Sequence, residues 1–255
     1  MLNTILHGTQ GAQPPLLIVH GLYGSGRNWG VIAKRLSDER QVIAVDQRNH
    51  GDSPWTESHG YEDMAGDLAE VIEAHGGKAD VLGHSMGGKA AMVLALTRPE
   101  LVNRLILADI APVAYDHSQI QYIEAMRAVD LDAVEKRSDA NDQLARHVPE
   151  PTLRSFFTQS LDIKEKRWKL NLDLLAEEMP KIIGFPEIGG QFDGPTLFLA
   201  GGESDYVKPE YRSRIKTLFP EARFAKIPGA GHWLHAEKPR EFEAAVRAYL
   251  AATGQ

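Results

Sequence analysis

The sequence predicts an α/β protein: a mostly parallel β-sheet with helices on both faces and a helical cap inserted between two strands. Three observations predict it. First, short apolar runs stop abruptly at Gly or polar residues. Leu16-Leu17-Ile18-Val19 ends at His20-Gly21, Val42-Ile43-Ala44-Val45 at Asp46, Val81-Leu82 at Gly83, Leu105-Ile106-Leu107 at Ala108-Asp109, and Thr196-Leu197-Phe198-Leu199 at Ala200-Gly201-Gly202. Apolar throughout and this short, they read as strands buried on both sides. Second, helical patterns alternate with them. Met64, Leu68, Val71 and Ile72 share one face before the stop at Gly76-Gly77; residues 89–98 follow, closed by Pro99; Phe242, Val246, Tyr249 and Leu250 mark a last amphipathic helix. Strand and helix in alternation imply a parallel sheet covered on both faces. Third, residues 112–186 break the rhythm. Helical patterns at 122–129, 131–137 and 168–183 fill this stretch without a convincing strand. The expected organisation is therefore a first core segment at 1–111, a helical cap at 112–186 and a second core segment at 187–255. The interleaved charges of Lys164, Glu165, Lys166 and Arg167 read as a solvated helix face.

Bulk composition bounds the function. The chain has 255 residues, 43% hydrophobic and 25% charged, with a formal net charge of -7. That profile fits one large globular domain. Its acidic balance argues against nucleic acid or an anionic membrane as the main partner. There is no cysteine, which excludes disulfides, thiolate nucleophiles and Cys-based metal sites. The start, Met1-Leu2-Asn3-Thr4-Ile5-Leu6-His7, has no basic segment followed by a long apolar run, and no stretch approaches the ~20 apolar residues of a membrane span. A cytoplasmic location without membrane insertion is the expectation, as monomer or homodimer.

The chemistry is concentrated in Gly83-His84-Ser85-Met86-Gly87, a G-x-S-x-G match lying between a strand-like and a helix-like segment. That setting is what the motif requires: a sharp, strained turn projects the serine hydroxyl at the carboxyl end of the sheet, with glycines leaving room around it. Ser85 is the expected nucleophile. A developing oxyanion needs two N–H donors, for which the candidates are Met86, just after the nucleophile, and Leu22, in the loop His20-Gly21-Leu22-Tyr23-Gly24-Ser25-Gly26 after an earlier strand. That loop lacks the order and the following Lys-Ser/Thr of a phosphate-binding loop.

The expected base is His232, in Pro228-Gly229-Ala230-Gly231-His232-Trp233 after the strand-like Arg223-Phe224-Ala225-Lys226-Ile227. Its place after Ser85 agrees with the order serine, acid, histidine. Two carboxylates at strand ends qualify as the acid, Asp109 and Asp205, and position in the chain slightly favours Asp205, in the strand-end loop before His232. His84 reads as a packing residue pointing away from Ser85, and His20 and His50 as site-shaping or structural; His235 has no assigned role. No pair of histidines has metal-binding spacing.

Taken together, Gly83-His84-Ser85-Met86-Gly87-Gly88-Lys89, Asp46-Gln47-Arg48-Asn49-His50-Gly51-Asp52-Ser53, Asp109-Ile110-Ala111-Pro112 and Gly229-Ala230-Gly231-His232-Trp233 make the chain resemble the α/β-hydrolase superfamily, and within it the YbfF-type bacterial esterases, relatives of the mammalian abhydrolase domain-containing protein 11. The resemblance runs from Leu16 to the last helix. It implies a carboxylesterase acting on small-molecule esters of short to medium acyl groups, and acyl thioesters too, with no cofactor. It favours Asp109 as the acid, with Asp205 the alternative, and leaves Asp46 and Arg48 as loop anchors. Tyr23 and Trp233 are expected to line the substrate pocket, with Phe156, Phe157, Trp168 and Leu172 from the cap. Competing readings are a carbon–carbon bond hydrolase or lyase on the same fold and a non-catalytic small-molecule receptor. A haloalkane dehalogenase needs Asp where Ser85 stands.

Overall fold

The computed structural model describes residues 1–253. Its centre is a seven-stranded sheet in the order β1-β3-β2-β4-β5-β8-β9. β2 (Leu16–Val19), β3 (Val42–Val45), β4 (Ala79–His84), β5 (Val102–Ala108), β8 (Thr196–Gly201) and β9 (Ala222–Ile227) run parallel. β1 (Thr4–His7) closes one edge antiparallel to β3. The sequence reading passed over β1: only partly buried and carrying the half-exposed Leu6, it has no apolar run to announce it.

Alternation along each strand sorts side chains between two cores. Leu17, Val19, Val81, Leu105, Leu107 and Phe198 face one cluster, shared with α2 (Tyr61–Ala74) and α3 (Met86–Thr97). Leu16, Ile18, Leu82, Ile106, Leu197 and Leu199 face the other, shared with α1 (Gly30–Leu36) and α11 (Pro239–Ala252). α3 is buried all round from Met86 to Leu96, and each large apolar side chain so buried contributes ~1.5–3 kcal/mol. This helix is therefore a rigid support for the turn at its head. α9 (Arg212–Leu218) and α10 (Leu234–Glu237) complete the core elements.

Between β5 and β8 lie α4 (Ile120–Arg127), α5 (Arg137–Leu144), α6 (Pro151–Thr158), α7 (Leu172–Glu177) and α8 (Met179–Ile183). Three expectations for this stretch are corrected. It is not wholly helical: β6 (Leu161–Asp162) and β7 (Arg167–Trp168) form a two-stranded ribbon, whose turn carries Lys166 at φ 50°. The supposed helix at 131–137 is a run of turns, and α5 starts only at Arg137. The long helix from 168 is absent. Trp168 is in the ribbon, Leu170 bridges to His50, and Asn171 caps α7. α8 then restarts with Pro180 in its first turn, a position Pro tolerates because its missing N–H has no helical partner there. No helix among the described residues is long and apolar enough to cross a membrane.

Candidate active site

Parallel pairing places the strand ends side by side. Val19 pairs with Gly83, Gly83 with Leu107, Ala108 with Leu199, and Gly201 with Ile227. The loops that leave these strands hold His20–Gly26, Ser85, Asp109, Ser204 to Tyr206, and His232, so residues far apart in sequence converge on one edge. Among the described residues, four of the five non-glycine residues with positive φ are in these loops or the neighbouring one after β3: Tyr23 at 64°, Asn49 at 64°, Ser85 at 51° and Asp109 at 51°. Such conformations cost on the order of 1–3 kcal/mol each and persist only where surrounding packing imposes them.

Ser85 is the pivot between β4 and α3, with ψ at -121°. The turn is closed by tight backbone approach. A Cβ on Gly87 would stand 2.4 Å from the carbonyl oxygens of both Val19 and His20, and one on Gly21 only 3.2 Å from the Ser85 Cβ. The helix head and the loop after β2 therefore meet closely at the serine. Neither the Leu22 nor the Met86 N–H has a hydrogen-bond partner among the described residues, and both residues line the same cavity as Ser85.

The Ser85 Oγ lies 3.1 Å from His232 Nε2, and His232 Nδ1 lies 2.7 Å from the Asp109 carboxylate. Asp109 is fully buried. Besides His232, its carboxylate accepts hydrogen bonds from the Gly201 N–H at 2.9 Å and the Ser204 hydroxyl at 2.5 Å. These donors satisfy a buried charge that would otherwise be strongly penalised. Asp205, one residue beyond Ser204, is exposed and is not among the partners of His232. The position that chain order slightly favoured is thus turned to solvent, because the loop spends its inward-facing residues on Ser204 and Tyr206.

Other histidines frame the site. His20 donates from Nδ1 to the Gly21 carbonyl and accepts at Nε2 from the Gln47 N–H. His50 donates to the Arg48 carbonyl and accepts from the Tyr23 N–H. Burial lowers the pKa of both, keeping them uncharged so that each can accept as well as donate. They hold the loop that carries Leu22. His84 does more than pack: its Nε2 donates to the His232 backbone carbonyl at 2.8 Å, and burial holds its pKa well below the ordinary value. His235 stacks on Trp29 with ring centroids 4.0 Å apart. Asp46 receives N–H donors from Gly26 and Asp52, and Arg48 forks onto Asp67 at 2.6 and 2.9 Å, so both anchor loops.

The cavity above Ser85 has a volume of about 290 Å³. Tyr23, Trp233, Phe156 and Phe157 line it. Trp168 and Leu172 do not: both are buried within the insertion, where the Trp168 indole donates to the Met126 carbonyl. The sequence reading missed Lys89, one helical turn beyond Ser85. It is 1% exposed, donates to the carbonyls of Ile183 and Gly184 at the end of α8, and sits over the Tyr115 ring. Desolvation pulls its pKa down to about 7. Lys89 closes the segment Gly83 to Lys89 that carries the family resemblance, but nothing in the sequence indicates that a lysine there is buried. Among the described residues no cluster of His, Asp and Glu is grouped to hold a metal ion.

A family model for the α/β-hydrolase fold matches residues 14–239. The chain belongs to the α/β-hydrolase fold family. Within this family it is 43% identical, over 93% of its length and 81% of the relative's, to the sn-1-specific diacylglycerol lipase ABHD11 of Mus musculus. It is 39% identical to the esterase YbfF of Escherichia coli, covering 92% of each chain. Among solved α/β-hydrolase structures, a marine microorganism esterase superposes with a TM-score of 0.92 at 40% identity, over 98% of this chain and 99% of the other.

Proposed function

We propose that this protein is a carboxylic ester hydrolase that works through an acyl-enzyme on Ser85. The observation that carries the reading is the unbroken line from Ser85 Oγ through His232 to Asp109, set beside two unpartnered N–H groups. In the proposed cycle His232 Nε2 takes the hydroxyl proton as Oγ attacks the carbonyl carbon. The carbonyl electron pair moves onto oxygen, which the Leu22 and Met86 N–H groups hold. Asp109 keeps the imidazole in the Nδ1–H tautomer and stabilises the imidazolium. Collapse of the tetrahedral intermediate expels the alcohol, which leaves with the proton from Nε2. Water then gives a proton to His232 as it attacks the acyl carbon; the second tetrahedral intermediate breaks its bond to Ser85 Oγ, which takes that proton back from Nε2, and the acid is released. A thioester follows the same course with a thiol leaving.

Residues 112–186 act as a cap over this site, with Tyr23, Trp233, Phe156 and Phe157 shaping the acyl pocket. The cavity is at the small end of the range for ligand pockets, roughly 300–1,000 Å³, which supports short to medium acyl groups. The ester chemistry of the mouse lipase and the bacterial esterase supports the same bond class. The test is twofold. A fluorophosphonate should label the parent at Ser85 and not Ser85→Ala, and p-nitrophenyl esters of increasing chain length should give kcat/KM that peaks at short to medium acyl groups. Absence of labelling, or turnover of dione substrates without ester turnover, would overturn the reading.

A further inference from the structure

One face of the His232 ring is covered. Tyr206 stacks on it with ring centroids 3.8 Å apart and planes 18° from parallel. Tyr206 is itself held from two directions. From the loop after β8, its N–H donates to the Ser204 hydroxyl, which in turn donates to Asp109. From the segment leading into the insertion, the Tyr115 hydroxyl donates to the Tyr206 carbonyl at 2.7 Å and accepts from the Ala111 N–H. In addition, His117 Nε2 is 2.6 Å from the Tyr206 hydroxyl. Partial burial, with His232 and Lys89 nearby, lowers the His117 pKa, so the link at neutral pH is between uncharged groups.

We infer that Tyr206 is a positioning residue for His232: its ring face holds the imidazole in line with Ser85 and Asp109 and stabilises the imidazolium, while Tyr115 and His117 fix Tyr206 in that place. The inference rests on His232 being the base of the proposed cycle. An aromatic face attracts a cation through its quadrupole, most strongly where water is excluded. In the proposed cycle His232 gains a proton as Ser85 attacks, so the attraction grows toward the transition state, which is the condition for raising kcat rather than lowering KM. The segment preceding α4 therefore does more than lead into the cap; it ties the entrance of the insertion to the base.

The test compares Tyr206→Leu, Tyr206→Phe and His117→Ala by steady-state kinetics on p-nitrophenyl acetate and by the pH profile of kcat/KM. Besides Tyr206, the groups facing His232 are Asp109, Ser85, His84, His235 and His117, with Lys89 lining the same cavity. All but His117 are unchanged across the set. Tyr206→Leu should lower kcat by about tenfold with KM within about twofold. Its acid limb should move to lower pH, because an imidazolium without the aromatic face loses its proton more readily. Tyr206→Phe restores the face and should recover kcat to within about threefold of the parent, and His117→Ala should match it. Tyr206→Met is the second apolar replacement should the leucine variant not fold. An unchanged kcat and acid limb in Tyr206→Leu, or a loss in Tyr206→Phe as deep as in Tyr206→Leu, would overturn the inference. His232→Ala separates the two levels. If it collapses turnover while the Tyr206 variants do not respond, only the inference fails; if it stays active, the proposed cycle fails as well.

Discussion

At the carboxyl edge of the sheet, Ser85 and Asp109 directly follow strand ends and donate their N–H groups to the Ala108 and Leu199 carbonyls of neighbouring strands, and His232, in the loop after β9, is held at its carbonyl by His84. Across the cavity, the insertion meets this edge through a handful of long-range ties: the Tyr61 hydroxyl donates to the Ile182 carbonyl, Lys89 to the next two carbonyls, and the Ser160 hydroxyl to the Tyr23 carbonyl. The edge is built by register, and the insertion is fastened largely by side chains, with one backbone bridge where Leu170 meets His50. The contrast teaches where sensitivity should lie. Changes at the edge should act on chemistry in large steps, and changes in the insertion on fit and stability in small ones.

The largest effect expected is at the edge. Ser85→Ala or His232→Ala should lower kcat by about 10⁴–10⁶, measured on a p-nitrophenyl ester, with little change in melting temperature. A loss smaller than about a hundredfold would break the comparison, since the edge would then not be where the chemistry resides.

Next come the two aspartates. Asp109→Asn replaces the acceptor-only carboxylate that selects the His232 tautomer by an amide that can donate to Nδ1, and should cost about 10⁴ in kcat. Asp205→Asn, at an exposed position, should stay within about threefold of the parent. The reverse ranking, with both variants folded, would move the acid to Asp205.

Stability should report the third effect, at the fastening. The Lys89 pKa is lowered in the folded protein to about 7, against an ordinary value near 10.4. Between those limits the unfolded chain binds more protons than the folded one, so stability rises with pH through that window, by at most about 1.4 kcal/mol per unit. Lys89→Met removes the group. Denaturant midpoints taken from pH 7 to pH 10 should therefore show the parent gaining on Lys89→Met as pH rises. A constant difference would show that Lys89 keeps its proton throughout, and the tie to α8 would then be a permanent charge on two carbonyls.

How much of this was legible in the sequence follows the same division. Strands β2, β3, β4, β5, β8 and β9 are visible because burial on both faces demands apolar runs, and the edge carries Gly-x-Ser-x-Gly because backbone crowding tolerates little else. The partner of His232 was not legible from order alone. Asp109 and Asp205 both follow strands, and only the path of the loop after β8 decides that Ser204 and Tyr206 turn in while Asp205 turns out. The insertion was readable only as helical in bulk. Its α7 and α8 merge in the pattern because Leu172, Leu175, Met179 and Ile182 keep a helical spacing across the break at Glu178, and its ribbon is too short for a period-2 signal. Lys89, Tyr206 and the bond from His84 were hidden for a different reason: each acts through a contact distant in sequence, and a lone Lys, Tyr or His carries no local trace of its partner.

The smallest effect tests whether lining and packing within the insertion can be told apart. Phe157 touches the cavity and stacks edge-on with Tyr23 at 5.7 Å, whereas Leu172 is buried without reaching it. Phe157→Ala should enlarge the pocket and raise the ratio of kcat/KM for a longer over a shorter p-nitrophenyl ester by about fivefold, since each added methylene that finds room is worth ~1 kcal/mol or more. Leu172→Ala should leave that ratio within about twofold while lowering stability by ~2 kcal/mol or more, the cost of a large-to-small change in a packed interior. Both variants lose apolar volume from the same insertion, so general loosening would shift the two ratios together. A shift confined to Phe157→Ala is the outcome in which shape, rather than slackness, sets chain length; equal shifts would mean that the insertion moves as a loose body over the rigid edge.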